Sequence, residues 1–366
     1  MIKKILLYNN TRLLLDKVET MQRRIVLIGC GVVGQGFLEI LVKKKEMLEQ
    51  EFDFEPVLVG VADMVKGSVL VPDGMDIAKF LEHVKVKGTV HDFPAKNATV
   101  GLNSLEMLEQ AEADIMVEVT YTDIKTSEPA TSHIKKAFER GMCVATTNKG
   151  PVALHYKELH KLAEVNNVMF RYEGVVMSGT PIFDLLEYCL AGNEIMEIKG
   201  ILNGTTNFML TKMEEENMSY ADALALAQKL GYAEADPTAD IEGFDALAKV
   251  VILSNVVLGG SISPADAQER VGISGITIED IKKAKSEGMR FKLIGSTRKE
   301  HGKIIASVKP EKLALSDPLA GVSGAVNALT FKTDLSGAVT IQGPGAGKTE
   351  TGFAILIDVL NMHKEM

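Results

Sequence analysis

A β-branched apolar run, Arg24-Ile25-Val26-Leu27-Ile28, leads straight into Gly29-Cys30-Gly31-Val32-Val33-Gly34. No feature restricts the fold of this chain more. The run lacks polar alternation, as a strand buried on both faces does. After the glycines, residues 35–45 set Phe37, Leu38, Leu41 and Val42 on one side of a helix. Strand, glycine turn and helix in that order form the GxGxxG fingerprint of dinucleotide binding. The first glycine permits a tight turn, the second lets the main chain approach a pyrophosphate, and the third lets helix and strand pack closely. The helix N-terminus then meets the phosphates with unpaired N–H groups and a favourable dipole. Gly29, Cys30, Gly31, Val32, Val33 and Gly34 are therefore expected at the cofactor.

Further apolar runs follow at Val57-Leu58-Val59-Gly60-Val61-Ala62-Asp63, Asp114-Ile115-Met116-Val117-Glu118-Val119-Thr120 and Cys143-Val144-Ala145-Thr146, with another at residues 168–172. A helix over 132–140 stops at Gly141. Strands alternating with helices imply right-handed crossovers and a parallel sheet. Asp63 ends the second strand, where an acid commonly meets the adenosine ribose. It would accept from a 2′-hydroxyl and favour NAD, Lys66 would instead meet the 2′-phosphate of NADP, and an ordinary turn residue is the plain alternative for Asp63. The insertion 47–55 accounts for its distance from Gly34.

From about Gly200 the pattern changes. Residues 195–202, 304–308 and 325–333 read as half-exposed strands, with helices at 220–230 and 244–258 between them. This predicts an α+β layer, sheet on one side and helices on the other. Residues 338–341 form a last strand, followed by a glycine loop and a helix at 350–360, expected to return to the first domain. The resulting reading is α/β. It comprises an N-terminal extension (1–22), a Rossmann-type nucleotide-binding domain (23–152), a substrate-binding and dimerisation domain (153–336) and the return (337–366).

Composition narrows the partners. With 366 residues, 46% of them hydrophobic, the chain can fill two cores. A net charge of -9 argues against nucleic acid. Cys30, Cys143 and Cys189 lie far apart and form no CxxC pair, which favours a reducing compartment such as the cytoplasm over disulfides or a zinc site. No apolar run is long enough to span a bilayer. Asn9, Asn10, Arg12, Asp16 and Lys17 break up the first 24 residues, so no signal peptide is expected.

Gly343-Pro344-Gly345-Ala346-Gly347-Lys348-Thr349 imitates a phosphate loop but is not one. GxxxxGK[ST] needs a glycine where Gln342 stands. The loop is better read as glycines that let the main chain pass close to the cofactor.

The chemistry concentrates between Asn203 and Lys249. Asn203-Gly204-Thr205-Thr206-Asn207 is followed by Glu234, Asp236, Asp240, Asp245 and Lys249. Asp245 and Lys249 are spaced i,i+4, acid first, on one helix face. As a surface pair they would contribute only about 0.3–0.5 kcal/mol. Ala246, Leu247, Ala248, Val250, Val251, Ile252 and Leu253 leave that helix little solvent-facing surface, however. A partly buried lysine beside carboxylates can hold or pass a proton to an oxygen. Glu234, Asp236 and Asp240 are near enough to bind an ammonium group, or act as loop solvation and N-caps. Lys149 follows a strand C-terminus, where ligands bind in open parallel sheets; a solvated loop lysine is its plain alternative.

From about Arg24 to His363 the chain resembles homoserine dehydrogenases. The resemblance rests on the glycine turn, Thr146-Thr147-Asn148-Lys149, Tyr172-Glu173-Gly174 through Gly179-Thr180-Pro181, Leu202 through Phe208, and the run from Gly231 to Lys249. It implies interconversion of L-homoserine and L-aspartate 4-semialdehyde with NAD or NADP, in threonine and methionine synthesis. Lys249 would give a proton to the aldehyde oxygen, oriented by Asp245. Glu234 and Asp240 would hold the substrate ammonium, and the main chain of Gly204 and Thr205 its carboxylate. Lys149 would sit between nicotinamide and substrate. Thr120 would lie on the nicotinamide side, and Gly345 and Gly347 would line the same cleft. A monovalent cation, often sodium, would map to Glu173 and carbonyls near Val176, Ser178 and Thr180. A homodimer built through the second sheet is expected, and the chain departs from some relatives in two respects: neither their regulatory ACT domain after the closing helix nor an aspartate kinase domain before the dehydrogenase is expected, so the enzyme should be monofunctional. The resemblance implies no nucleophilic cysteine. Two other readings remain: a Rossmann dehydrogenase of another amino-acid aldehyde or hydroxy acid, and a nucleotide sensor without turnover.

Overall fold

The computed structural model describes residues 20–366; the expected N-terminal extension lies almost wholly outside them. Two sheets organise the chain. The first contains β1 (Met21–Ile28), β2 (Phe54–Asp63), β3 (Gly67–Met75), β4 (Thr99–Val100), β5 (Ile115–Glu118), β6 (Cys143–Thr146) and β7 (Phe170–Arg171). Their order is β4-β3-β2-β1-β5-β6-β7. β1 is central, with Ile25 paired to Leu58 on one side and to Ile115 on the other. Val26 and Leu27 are wholly buried, as their unbroken apolar pattern requires.

The sheet is not parallel throughout. β2, β1, β5, β6 and β7 are parallel, but β3 runs antiparallel to β2, and β4 to β3. The return after Asp63 is short, and Gly67 takes φ +83 there, so a hairpin replaces a helical crossover. The insertion near residue 50 is a separate helix, Lys45–Phe52, which buries Leu48.

The second sheet contains β8 (Ile195–Ile201), β9 (Glu269–Arg270), β10 (Met289–Glu300), β11 (Lys303–Ala314), β12 (Val326–Thr333) and β13 (Ala338–Pro344). Their order is β13-β12-β8-β10-β11-β9, antiparallel except at β11/β9. Side chains alternate between two cores. Ile198, Leu293 and Leu329 join the helices Gly204–Glu216 and Phe244–Val256. Ile201, Ile294 and Ala328 turn the other way, onto a smaller cluster with Leu319 and Val322.

Two boundaries differ from the sequence reading. β7 carries the first sheet past residue 152, to Arg171. The 337–366 return is split: β13 pairs with β12 in the second sheet, and only the helix Lys348–Glu365 goes back. That helix crosses Val32–Lys43 at close range. A Cβ on Gly352 would lie 2.7 Å from the Phe37 nitrogen, and one on Gly36 would strike the Lys348 carbonyl. Among the described residues, no helix is long and apolar enough to cross a membrane.

Candidate active site

The C-terminal ends of β1, β2 and β5 open onto a cleft of about 720 Å³, lined by Gly29, Gly31, Asp63, Val65, Ser104 and Thr120 among others. It meets a second cavity of about 840 Å³ between the two sheets. Val119 and Thr120 belong to both. A long two-ended ligand could span them.

The first arm is made mostly of main chain. Gly29 has φ +103, and a Cβ there would meet the Val119 carbonyl at 2.6 Å. Gly34 packs against the Gly29 carbonyl. A Cβ placed on Gly31 would meet nothing within 4 Å, which leaves room for a phosphate. Gly31 caps the helix Val32–Lys43 without a side-chain hydrogen bond. The free N–H groups at that terminus are ready for an anion. These observations fit a dinucleotide pyrophosphate.

Asp63 does more than end a strand. Its Oδ2 accepts from the Cys30 N–H at 2.7 Å, and its Oδ1 from the Val65 and Lys66 N–H groups at 2.9 Å each. Burial alone would raise its pKa, but those N–H groups and the Lys66 charge hold it below the ordinary value. Asp63 thus ties the β2 turn to the glycine turn. Lys66 does not line the cleft. Cys30 is fully buried, and burial with the Asp63 charge pushes its thiol up to about 12. At neutral pH it is no nucleophile.

Side chains build the second arm. Lys249 projects from the helix Phe244–Val256 and is 5% exposed. Its Nζ lies 2.6 Å from the Leu202 carbonyl and 2.9 Å from Asp245 Oδ2. Asp245 Oδ1 faces Lys149 Nζ at 3.6 Å. One carboxylate therefore bridges two ammonium groups that both line the cavity. Burial disfavours the Asp245 charge, but Lys249 and then Lys149 outweigh it and hold the carboxyl well below its ordinary range. An ammonium has three donors, and Leu202 and Asp245 use two of those on Lys249.

Asn203 joins this group, although the sequence reading assigned it no role. Its Nδ2 donates to Asp240 Oδ1 at 2.6 Å and to Asp245 Oδ2 at 3.1 Å. Its Oδ1 caps the helix Gly204–Glu216 by accepting from the Thr206 N–H. The Gly204 and Thr205 N–H groups sit at the same helix start, where no helical carbonyl can reach them. Burial, then the Asp245 charge, raises the Asp240 carboxyl against the pull of Asn203. Glu234 is exposed at the cavity rim. Asp236, also on the rim, accepts from the Thr238 N–H at 3.1 Å, the turn role left open for it. The Asn203-Gly204 pair before a helical pattern was the available N-cap signal.

Two expected positions, Gly347 and Glu173, are engaged elsewhere. Gly345 and Ala346 line the cavity, but Gly347 caps the helix Lys348–Glu365 and turns toward Glu350. Lys348 pairs with Glu39 at 2.6 Å, so the imitation phosphate loop directs its lysine at a helix surface. The Glu173 carboxylate is largely engaged: it accepts from the Ile182, Phe183 and Asp184 N–H groups. Among the described residues, no cluster of three or more His, Cys, Asp or Glu side chains could hold a metal.

Comparison with known proteins agrees with this geometry. Residues 29–173 match the family model "Homoserine dehydrogenase, NAD binding domain" and residues 181–360 match "Homoserine dehydrogenase". An NAD(+)-dependent homoserine dehydrogenase of Pseudomonas canavaninivorans is 45% identical over 93% of this chain and 96% of its own length. The chain belongs to the homoserine dehydrogenase family. Its fold is shared with a putative homoserine dehydrogenase from Archaeoglobus fulgidus, with a TM-score of 0.84, 35% identity, and 93% of this chain and 99% of that one covered. A hyperthermophilic archaeal homoserine dehydrogenase mutant in complex with NADPH aligns with a TM-score of 0.79 at 31% identity, covering 94% of this chain and 99% of that one. As an oxidoreductase family, homoserine dehydrogenases need a dinucleotide and a small amino-acid substrate in contact. The two cavities join at Val119 and Thr120.

Proposed function

We propose that this chain interconverts L-homoserine and L-aspartate 4-semialdehyde with Lys249 as the proton donor and acceptor. The carrying observation is the Lys149–Asp245–Lys249 bridge, which lines the cavity that meets the cofactor cleft at Val119 and Thr120. The glycine turn Gly29–Gly34 would hold a dinucleotide, whose nicotinamide would supply the hydride transfer at the alcohol carbon. The side chains handle the oxygen. As the aldehyde is reduced, negative charge grows on its oxygen; Lys149 and Lys249 stabilise it, and Lys249 delivers the proton from Nζ. In oxidation Lys249 receives that proton. Asp245 orients both ammonium groups. Glu234 and Asp240 bind the substrate ammonium, and the Gly204 and Thr205 N–H groups bind its carboxylate. A sensor without turnover has no need of this bridge.

NAD suits the cleft better than NADP. Asp63 is held ionised at the adenosine end, where a 2′-phosphate would meet its charge. Gly29, Gly31 and Gly34 shape the turn for the pyrophosphate. A monovalent cation such as sodium would sit at the turn 173–180, held by Glu173 and by main-chain carbonyls near Val176, Ser178 and Thr180, with the Glu173 carboxylate also serving N–H groups. It would order the turn and leave the chemistry to the lysines. The second sheet, with Met196, Leu315 and Leu335 exposed beside it, would pair two copies into a homodimer. Free Cys30, Cys143 and Cys189 suit the cytoplasm.

The test is nicotinamide absorbance with L-homoserine, run with NAD⁺ and NADP⁺ in parallel. Homoserine-dependent reduction, faster with NAD⁺, is expected. Folded protein that binds the cofactors yet reduces neither would overturn the assignment.

A further inference from the structure

Beneath the cofactor cleft lies a carboxylate that the reaction does not use. Glu118 ends β5 and is wholly buried. A buried carboxylate must be surrounded by donors. Its Oε1 accepts from the Thr120 N–H at 3.2 Å and from the Thr120 hydroxyl. Its Oε2 lies 3.3 Å from Thr146 Oγ1. On another side His133, 2% exposed, brings Nδ1 to 3.6 Å, and no lysine or arginine pairs with Glu118 among the described residues. His133 Nε2 in turn lies 2.6 Å from Ser104 Oγ.

The direction of each hydrogen bond follows. A carboxylate only accepts, so Thr120 gives it its one hydroxyl proton. Asn148 offers no alternative acceptor: its Oδ1 already accepts from the Gly150 N–H, and its Nδ2 donates to the Tyr121 carbonyl. That turns its amide nitrogen toward Thr120 at 3.5 Å. His133 Nδ1 is beyond hydrogen-bond reach of Glu118 at 3.6 Å, but the nearby carboxylate charge favours the ring proton on Nδ1, which leaves Nε2 to accept from Ser104. Both hydroxyls therefore show the cleft lone pairs. Ser104 does so in the arm that holds Asp63, and Thr120 where the arms join. A dinucleotide would supply donors of the kind these acceptors need: ribose hydroxyls and the carboxamide NH₂.

We propose that Glu118 is a positioning residue for the cofactor, fixing Thr120 and, through His133, Ser104 as hydrogen-bond acceptors. This rests on the dinucleotide-binding reading above. The test measures NAD⁺ and ADP-ribose affinity calorimetrically in wild type, Glu118→Gln, Thr120→Val and the double variant. ADP-ribose lacks the nicotinamide, so it separates the two arms. Glu118→Gln should weaken NAD⁺ on the order of tenfold, and ADP-ribose less. In the Thr120→Val background, Glu118→Gln should cost NAD⁺ no more than it costs ADP-ribose. Wild-type NAD⁺ affinity in folded Glu118→Gln, or penalties that multiply in full, would overturn the proposal. Should Glu118→Gln not fold, Ser104→Ala should weaken both nucleotides alike and Thr120→Val NAD⁺ alone; wild-type affinities in both variants would then overturn it. A wild-type chain that binds neither nucleotide would sink the dinucleotide reading itself, an outcome distinct from these.

Discussion

The two arms of the cleft solve recognition by opposite means. The cofactor arm is main chain: glycines that leave space, a helix terminus with free N–H groups, and an acid that ties two turns together. The substrate arm is side chain: two lysines on one carboxylate, joined through Asn203 to a second. A pyrophosphate has fixed charge and needs only a complementary surface. A reacting oxygen changes charge, and it needs a group able to move a proton. Substitutions in the first arm should therefore act on folding and affinity, and substitutions in the second on turnover.

The largest effect in the first arm is expected for Gly29→Ala. The new Cβ would meet the Val119 carbonyl at 2.6 Å in a backbone with φ +103. We expect a loss of at least about 2 kcal/mol, read from thermal or denaturant unfolding. Gly31→Ala sharpens the comparison, because the space around it is open. Its melting should match wild type while cofactor affinity falls on the order of tenfold, since the methyl occupies room needed by the phosphate. Equal affinity would mean that the pyrophosphate lies elsewhere.

A smaller effect concerns Asp245 and acid. Its folded pKa lies below the unfolded one, so its stabilisation is present above the unfolded value, ordinarily 3.8. It is lost as pH falls through the folded value. Asp245→Asn should therefore be most destabilised relative to wild type at neutral pH. The gap should narrow below about pH 4. A gap independent of pH would show that the bridge to the lysines contributes no charge stabilisation. The smallest effect is expected for Lys348→Ala, which removes an exposed pair with Glu39. Stability should change by less than about 1 kcal/mol and cofactor affinity not at all. A large loss of affinity would restore a phosphate role to that loop.

What the sequence disclosed follows the same division. The β1 run and glycine turn were legible because strand, turn and helix are consecutive and each glycine has a local reason. Lys249 and Asp245 were legible because i,i+4 spacing places them together on one helix. Partner choice was not legible. β13 reads as a strand, but nothing in Ala338-Val339-Thr340-Ile341 names β12 as its neighbour. β3 was hidden because a hairpin at Gly67 and a crossover start alike. The Glu173 carboxylate finds its N–H donors some ten residues later, and Glu118 at the end of β5 faces His133 on the helix Ala130–Glu139. Such contacts are set by tertiary packing, and a single acid closing an apolar strand gives no warning of them.

The most direct test is to measure NAD⁺ affinity and homoserine turnover side by side in folded Lys249→Ala. Affinity within about twofold of wild type and turnover lower by about 10²–10⁴-fold are expected. Turnover retained within tenfold, or affinity lost in step with it, would contradict the division between an arm that binds and an arm that reacts.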